Sequence, residues 1–96
     1  MEVEFRSSDL DRLETDPSFK AGLAEAIVRA FRKRMQFIRA AVNERDLYAI
    51  PSYRFKKLGG SRMHQRSFRL NDQYRLVVEL HTSGLQTKVV IIGIEK

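Results

Sequence analysis

The sequence predicts an α+β fold: a short N-terminal strand, two helices, then four strands, with the helices packed on one face of an antiparallel sheet of four to five strands. Three observations carry this. Residues 17–43 repeat apolar side chains at helical spacing. Beyond Pro51 the pattern changes to a period of two, in short runs separated by Gly, Asn and Asp. The resulting order, β-α-α-β-β-β-β, keeps consecutive strands together as a meander and leaves one face for the helices. With 96 residues, the chain is expected to form one domain, 1–96.

The elements follow in order. Met1, Val3 and Phe5 alternate with Glu2, Glu4 and Arg6, a half-buried strand. Ser7 or Ser8 caps a short helix through Leu13, with Asp9 and Asp11 in its positive first turn. Asp16-Pro17 reads as a second helix start, because proline suits the first helical position. A long helix, Pro17–Asn43, is therefore expected. Phe19, Leu23, Ile27, Ala30, Phe31, Ile38 and Ala41 form its core stripe. Its basic run, Arg29–Arg39, reads either as a solvated face or as an extension of an anion-binding surface.

Asn43-Glu44-Arg45-Asp46 ends the helix, and Leu47, Tyr48 and Ile50 tuck a connection onto the core. Pro51 then forces extended chain at Ile50. Strands are expected at Tyr53–Leu58, Gln65–Leu70, Tyr74–Leu80 and Thr87–Ile94, with a turn at His81–Gly84. The last strand is apolar on both parities, as in a strand covered on both faces.

Charge is unevenly placed. The chain carries a formal charge of +6, and Tyr53–Arg75 alone holds seven cations (Arg54, Lys56, Lys57, Arg62, Arg66, Arg69, Arg75) against Asp72. Met1–Tyr48 has nine Lys/Arg and nine Asp/Glu. Such a local excess, interleaved with aromatics, points to an anionic partner, with nucleic acid first and an acidic protein next. Cysteine is absent, so no disulfide framework or thiolate chemistry is expected. Two histidines distant in sequence suggest no metal site, and no cofactor is expected. The acidic N-terminus has no apolar signal core, and no apolar run approaches the roughly 20 residues needed to span a bilayer. A cytoplasmic protein with no membrane association is the expectation.

Face parity sharpens the picture. A hairpin around Asn71-Asp72-Gln73 that pairs Leu70 with Tyr74 keeps Phe68, Leu70, Tyr74 and Leu76 on the core face. Arg69 then lies opposite Arg75, and Ser67 opposite Val77. Opposed like charges cost stability, and a bound anion between them relieves that cost. Lys56 shares the parity of Arg54, whereas Lys57 goes with Tyr53 and Phe55. Arg62 and His64 occupy the adjacent Gly59–Gln65 turn.

The basic stretch has no carboxylate pair, no Ser-His-Asp spacing and no phosphate-binding glycine motif. A reaction on it must use Arg, Lys and His. Attack of an RNA 2′-OH on the adjacent phosphate meets that condition. It needs cations for the phosphorane charge and proton transfer at two oxygens. Arg62 and Arg75 suit the first task. His64 suits the second, because histidine exchanges protons near neutrality. The plainer readings are a surface His64 and a packed Tyr74.

The segment YRFKKLGGSRMHQRSFRLNDQYRLVVEL, followed by KVVIIGIE, resembles the RelE/ParE superfamily of bacterial toxins, and within it the HigB, or plasmid-maintenance killer, branch. Leu58, Gly60, Arg62, Ser67, Asn71, Tyr74 and Arg75 carry the resemblance, over about residues 47–95. It implies a microbial-RNase-like RelE fold and ribosome-dependent, metal-independent mRNA cleavage. It also implies neutralisation by a cognate antitoxin in a toxin–antitoxin hetero-oligomer. Carried over, Arg62 and Arg75 stabilise the scissile phosphate, and Lys56 falls where relatives place a polar active-site residue. With His64 these form the expected catalytic set, while Arg54, Lys57, Arg66 and Arg69 grip RNA. Gly59 stands where many relatives have a Lys, Met63 where a Lys or small residue often follows the turn Arg, and Glu95-Lys96 where the branch begins an acidic-Tyr-His tail. The alternatives on the same scaffold are a non-nucleolytic, ParE-like gyrase inhibitor and an RNA-binding module without catalysis.

Overall fold

The computed structural model describes all 96 residues. Two helices lie on one face of a five-stranded sheet. The strands are β1 (Glu2–Phe5), β2 (Lys56–Lys57), β3 (Gln65–Arg69), β4 (Arg75–Ser83) and β5 (Gln86–Glu95), in the order β1-β5-β4-β3-β2. β2 to β5 form the antiparallel meander. β1 joins its far edge parallel to β5, so the sheet is mixed. Alternation marks β1 as a strand but says nothing about its direction in the sheet.

Helix α1 (Ser8–Thr15) is capped by Ser7, whose hydroxyl oxygen accepts from Asp9 N–H at 3.1 Å. Helix α2 (Glu25–Ala40) is shorter than its apolar pattern suggests. Residues 17–24 are not helical, for three reasons. Asp16 Oδ1 accepts from Ser18 N–H and Oγ–H, which closes a turn instead of capping a helix. Ala21 and Gly22 take positive φ of 52° and 74°, which no helix contains. The Arg32 side chain also draws on the carbonyls of Leu13, Asp16 and Phe19. Phe19 and Leu23 still pack on the core, but from a loop. The stripe on α2 itself is Ile27, Val28, Phe31, Met35 and Ile38, all buried. They meet Phe68, Leu76, Val78, Val89 and Ile91 from the sheet.

The expected strand Tyr53–Leu58 is strand only at Lys56–Lys57 and begins in a turn. Pro51–Tyr53 is one 3₁₀ turn, and Arg54 follows in the left-handed region at φ 46°. Tyr53 is held by Phe37, edge-on at 5.2 Å, and by Arg34, whose guanidinium lies 3.5 Å from the ring centre. Extended pairing therefore begins only at Lys56. At the other end, the expected His81–Gly84 turn is strand as far as Ser83. The reversal is the two-residue Gly84-Leu85 link, with Gly84 at φ 63°.

The central hairpin has the expected register: Phe68 faces Leu76, Ser67 faces Val77, and Arg69 faces Arg75. Leu70 N–H donates to Tyr74 O at 2.9 Å and closes the loop. A bulge in β5 lies between the pairs Val78–Ile91 and Val77–Gly93, leaving Ile92 unpaired. It resets the parity of β5, so the apolar run expected to mark a strand covered on both faces reflects two half-strands of opposite parity, with the helices on one face alone.

Candidate functional site

The sheet face away from the helices is polar around the buried Val77 and Val90. By register it carries Lys56 of β2, Ser67 and Arg69 of β3, Arg75 and Glu79 of β4, and Glu95 of β5. At its β2–β3–β4 corner is an open cavity of about 350 Å³. Five cations line it (Arg54, Lys56, Arg69, Arg75 and Lys96), with Asp72 as the one carboxylate and Ser67, Asn71, Gln73 and Tyr74 between them.

Each wall has a local cause. Asn71 Oδ1 accepts from the N–H groups of Gln73 and Tyr74, both at 2.8 Å, which shapes the hairpin loop. From beneath, Arg34 donates its Nε–H and Nη2–H to Arg69 O at 3.0 and 2.7 Å. Arg34 is 6% exposed and has no carboxylate partner, and burial lowers the pKa of its guanidinium. The left-handed backbone at Arg54 turns the chain at the cavity rim. Tyr74 packs partly on the core, with the Lys96 ammonium 5.6 Å from its ring centre.

The opposed arginines each find a carboxylate. Arg69 pairs with Asp72 in the loop. Arg75 Nη2–H donates to Glu95 Oε1 at 3.3 Å. The same carboxylate receives Arg62 in a fork, Nη1 to Oε1 at 3.0 Å and Nη2 to Oε2 at 2.7 Å. These bonds hold the Glu95 carboxyl below its ordinary value and raise the Arg62 guanidinium, Arg62 being the larger influence on Glu95. Arg75 Nε is buried and has no acceptor.

The network continues along the sheet. Arg62 Nε–H donates to Gln65 Oε1 at 2.9 Å, and Gln65 Nε2–H donates to Glu79 Oε2 at 3.2 Å. Glu79 also meets His81 Nε2 at 2.9 Å, Arg6 Nη2 at 3.6 Å and His64 Nε2 at 3.7 Å. The two histidines, remote in sequence, thus converge on one carboxylate. Hydrogen bonding from His81, then from Gln65, lowers the Glu79 pKa. No group of three or more His, Cys, Asp or Glu side chains is arranged to hold a metal ion.

Of the expected catalytic set, Lys56 and Arg75 line the cavity. Arg62 joins them through Glu95. His64 is displaced toward Glu79, with its side chain 61% exposed. Of the expected RNA-gripping set, Arg54 and Arg69 line the cavity. Lys57 and Arg66 pair with each other on the helix side of the sheet, as the period of two requires, and Arg66 approaches Glu44 at 3.5 Å. The basic run of α2 is largely consumed within the fold. Arg32 and Arg34 bind carbonyls, and Arg39 forks onto Glu14 at 2.7 Å through both contacts. Sequence reasoning missed Glu79 and Glu95, which come from outside the basic stretch.

A family model described as the RelE-like toxin HigB of type II toxin–antitoxin systems matches residues 3–90. Toxin HigB-1 of Vibrio cholerae serotype O1 is 30% identical over 79 residues, 82% of this chain and 83% of that protein. Among solved structures, a YoeB/ParE toxin from Agrobacterium tumefaciens superposes with a TM-score of 0.60 at 17% identity, covering 99% of this chain and 97% of the other. YafQ from E. coli superposes with a TM-score of 0.57 at 10% identity, covering 99% and 91%. At these identities the two structures establish the fold, two helices on a five-stranded mixed sheet.

Proposed function

The chain belongs to the HigB-like toxins, RelE-like members of type II toxin–antitoxin systems, and we propose that it cleaves mRNA on the ribosome and is neutralised by a cognate antitoxin. The observation that carries this reading is the cationic cavity on the open sheet face, five Lys/Arg around one carboxylate. A phosphodiester chain fits such a cavity electrostatically. Arg75 and Lys56 lie where they can neutralise the charge that builds on the phosphorane, and Arg62 adds a forked donor beside Arg75. Arg54, Arg69 and Lys96 hold the flanking phosphates.

His64 supplies the proton-transfer group, its Nε2 lying 3.7 Å from Glu79 Oε2. The chemistry on these residues is 2′-OH attack on the adjacent phosphate and departure of the 5′ oxygen. A cytoplasmic site of action follows from a ribosomal target, and no helix is long and apolar enough to cross a membrane.

Primer extension on a defined mRNA tests the reading, with and without translating ribosomes, and with EDTA in the ribosome-free arm. Codon-phased cleavage only with ribosomes supports it. Intact mRNA in both arms, with RNA still bound in a salt-dependent manner, would replace it with an RNA-binding module that lacks catalysis.

A further inference from the structure

Glu95 holds together the two arginines expected to receive RNA, and nothing in the proposed reaction uses it. We propose that the Arg62–Arg75 pair is a phosphodiester subsite closed in the free protein by Glu95, whose carboxylate is exchanged for an RNA phosphate on binding. The inference rests on the RNA reading above and adds how its central subsite is gated.

The geometry is that of an occupied oxyanion site. One guanidinium forks onto both carboxylate oxygens at 3.0 and 2.7 Å, and a second reaches one of them at 3.3 Å. Guanidinium groups arrange themselves the same way around a phosphate. A carboxylate offers two oxygens, and both are taken. A phosphodiester likewise presents two anionic oxygens, so it can take over the contacts Glu95 makes, and Arg75 Nε is a buried donor still without an acceptor. Glu95 therefore leaves one donor of the pair unmet.

The exchange is inexpensive. The Arg62, Arg75 and Glu95 side chains are 37%, 36% and 35% exposed, so the displaced carboxylate rotates into water without a change in the backbone. The β4–β5 ladder that holds Arg75 opposite Glu95 stays intact. Arg75 also lines the cavity with Arg54, Lys56, Arg69 and Lys96, so a strand seated at the subsite meets further cations. A proton-acceptor role for Glu95 is less favourable, because the arginines that grip it make it a weak base.

The test is binding of a single-stranded 2′-O-methyl oligoribonucleotide, which has no 2′-OH to attack, to the wild-type chain and to Glu95→Gln across a salt series. Glutamine keeps an acceptor for Arg62 and removes the competing charge. Binding is expected to tighten about five-fold at 0.1 M salt, the scale of a half-exposed ion pair. The log–log salt slope is expected to steepen by about 0.7, one more phosphate neutralised. Glu95→Asp keeps the charge but shortens the reach, and is expected to fall between the two. In NMR spectra, the Nε–H signals of Arg62 and Arg75 should respond to inorganic phosphate at lower concentration in Glu95→Gln. Equal or weaker oligonucleotide binding by both variants overturns the proposal. So does loss of cleavage by Glu95→Gln without tighter binding, which would make Glu95 a proton-transfer group. Tighter binding by a chain whose wild type leaves ribosomal mRNA intact would retain the subsite and remove the nuclease reading.

Discussion

Replacing Arg75 with alanine separates function from folding at one position. Four effects on stability are visible in the structure. The ion pair with Glu95 is a single 3.3 Å contact at a half-exposed position, a loss of about 0–1 kcal/mol. Removing a charge directly opposite Arg69 returns a few tenths to about 1 kcal/mol. Removing a buried Nε donor that has no acceptor returns about 1 kcal/mol or more. The lost packing of the aliphatic stem opposes these gains. The net change should lie within about 1 kcal/mol of zero, a shift in Tm of no more than about 8 °C for a domain of this size. The effect on activity is far larger. Losing one preformed donor to the transition-state charge costs about 10²–10³-fold in rate. Arg75→Lys should recover only part of it, because a point charge cannot make a forked contact.

The assay pairs a thermal melt with ribosomal mRNA cleavage for wild type, Arg75→Ala and Leu76→Ala. Leu76 is adjacent and fully buried, and truncating it should cost about 2–5 kcal/mol. A melt of Arg75→Ala as low as that of Leu76→Ala would refute the reasoning and make Arg75 a structural residue. So would an Arg75→Ala variant that cleaves at the wild-type rate.

Three other outcomes are expected. Arg34→Met should destabilise the protein by about 2–4 kcal/mol, because Arg69 O loses both donors and Tyr53 loses its stacked guanidinium; a melt unchanged from wild type would show that the buried arginine is dispensable. Arg54→Gly should raise stability by about 1 kcal/mol by relieving the φ of 46°, while weakening RNA binding and lowering its salt slope by about 0.7; Arg54→Ala should weaken binding equally without the gain in Tm. Glu79 and Glu95 both sit below the ordinary glutamate value of 4.5 in the folded chain. Their contribution is therefore present above about pH 4.5 and lost as pH falls through the lowered folded values, so Tm should fall on acidification and fall less steeply in a Glu79→Gln/Glu95→Gln double variant.

The legible parts of the fold are those set by strict local periodicity. The pairing of Arg69 with Arg75 needed only the parity of Phe68, Leu70, Tyr74 and Leu76 and a three-residue loop. It appears in the structure as expected. The helix is shorter than its apolar pattern because Phe19 and Leu23 keep helical spacing while lying in a loop. What ends the helix at Glu25 is partly local, the Asp16–Ser18 turn and the positive φ at Ala21 and Gly22, and partly tertiary, since Arg32 binds loop carbonyls from a full turn and more away. The strand at Tyr53 failed for a similar reason. Tyr53 is a good strand former, but packing by Phe37 and Arg34 holds it in a turn.

The candidate site divides along the same line. Parity sets Arg69 opposite Arg75 and groups Lys56 with Arg54, and the cavity contains all four. Glu95 was out of reach of that method. Counting back from the Gly84-Leu85 turn without a bulge puts Ile94 opposite Arg75 and turns Glu95 toward the helices. The extra residue, Ile92, shifts the register by one, and a shift of one exchanges the faces. The carboxylate that neutralises Arg62 and Arg75 therefore reaches them because of a single unpaired isoleucine. A reading of the cations alone counts both arginines as free. In the folded chain they already hold an anion, so under the proposed RNA reading affinity depends on an exchange and not on charge alone.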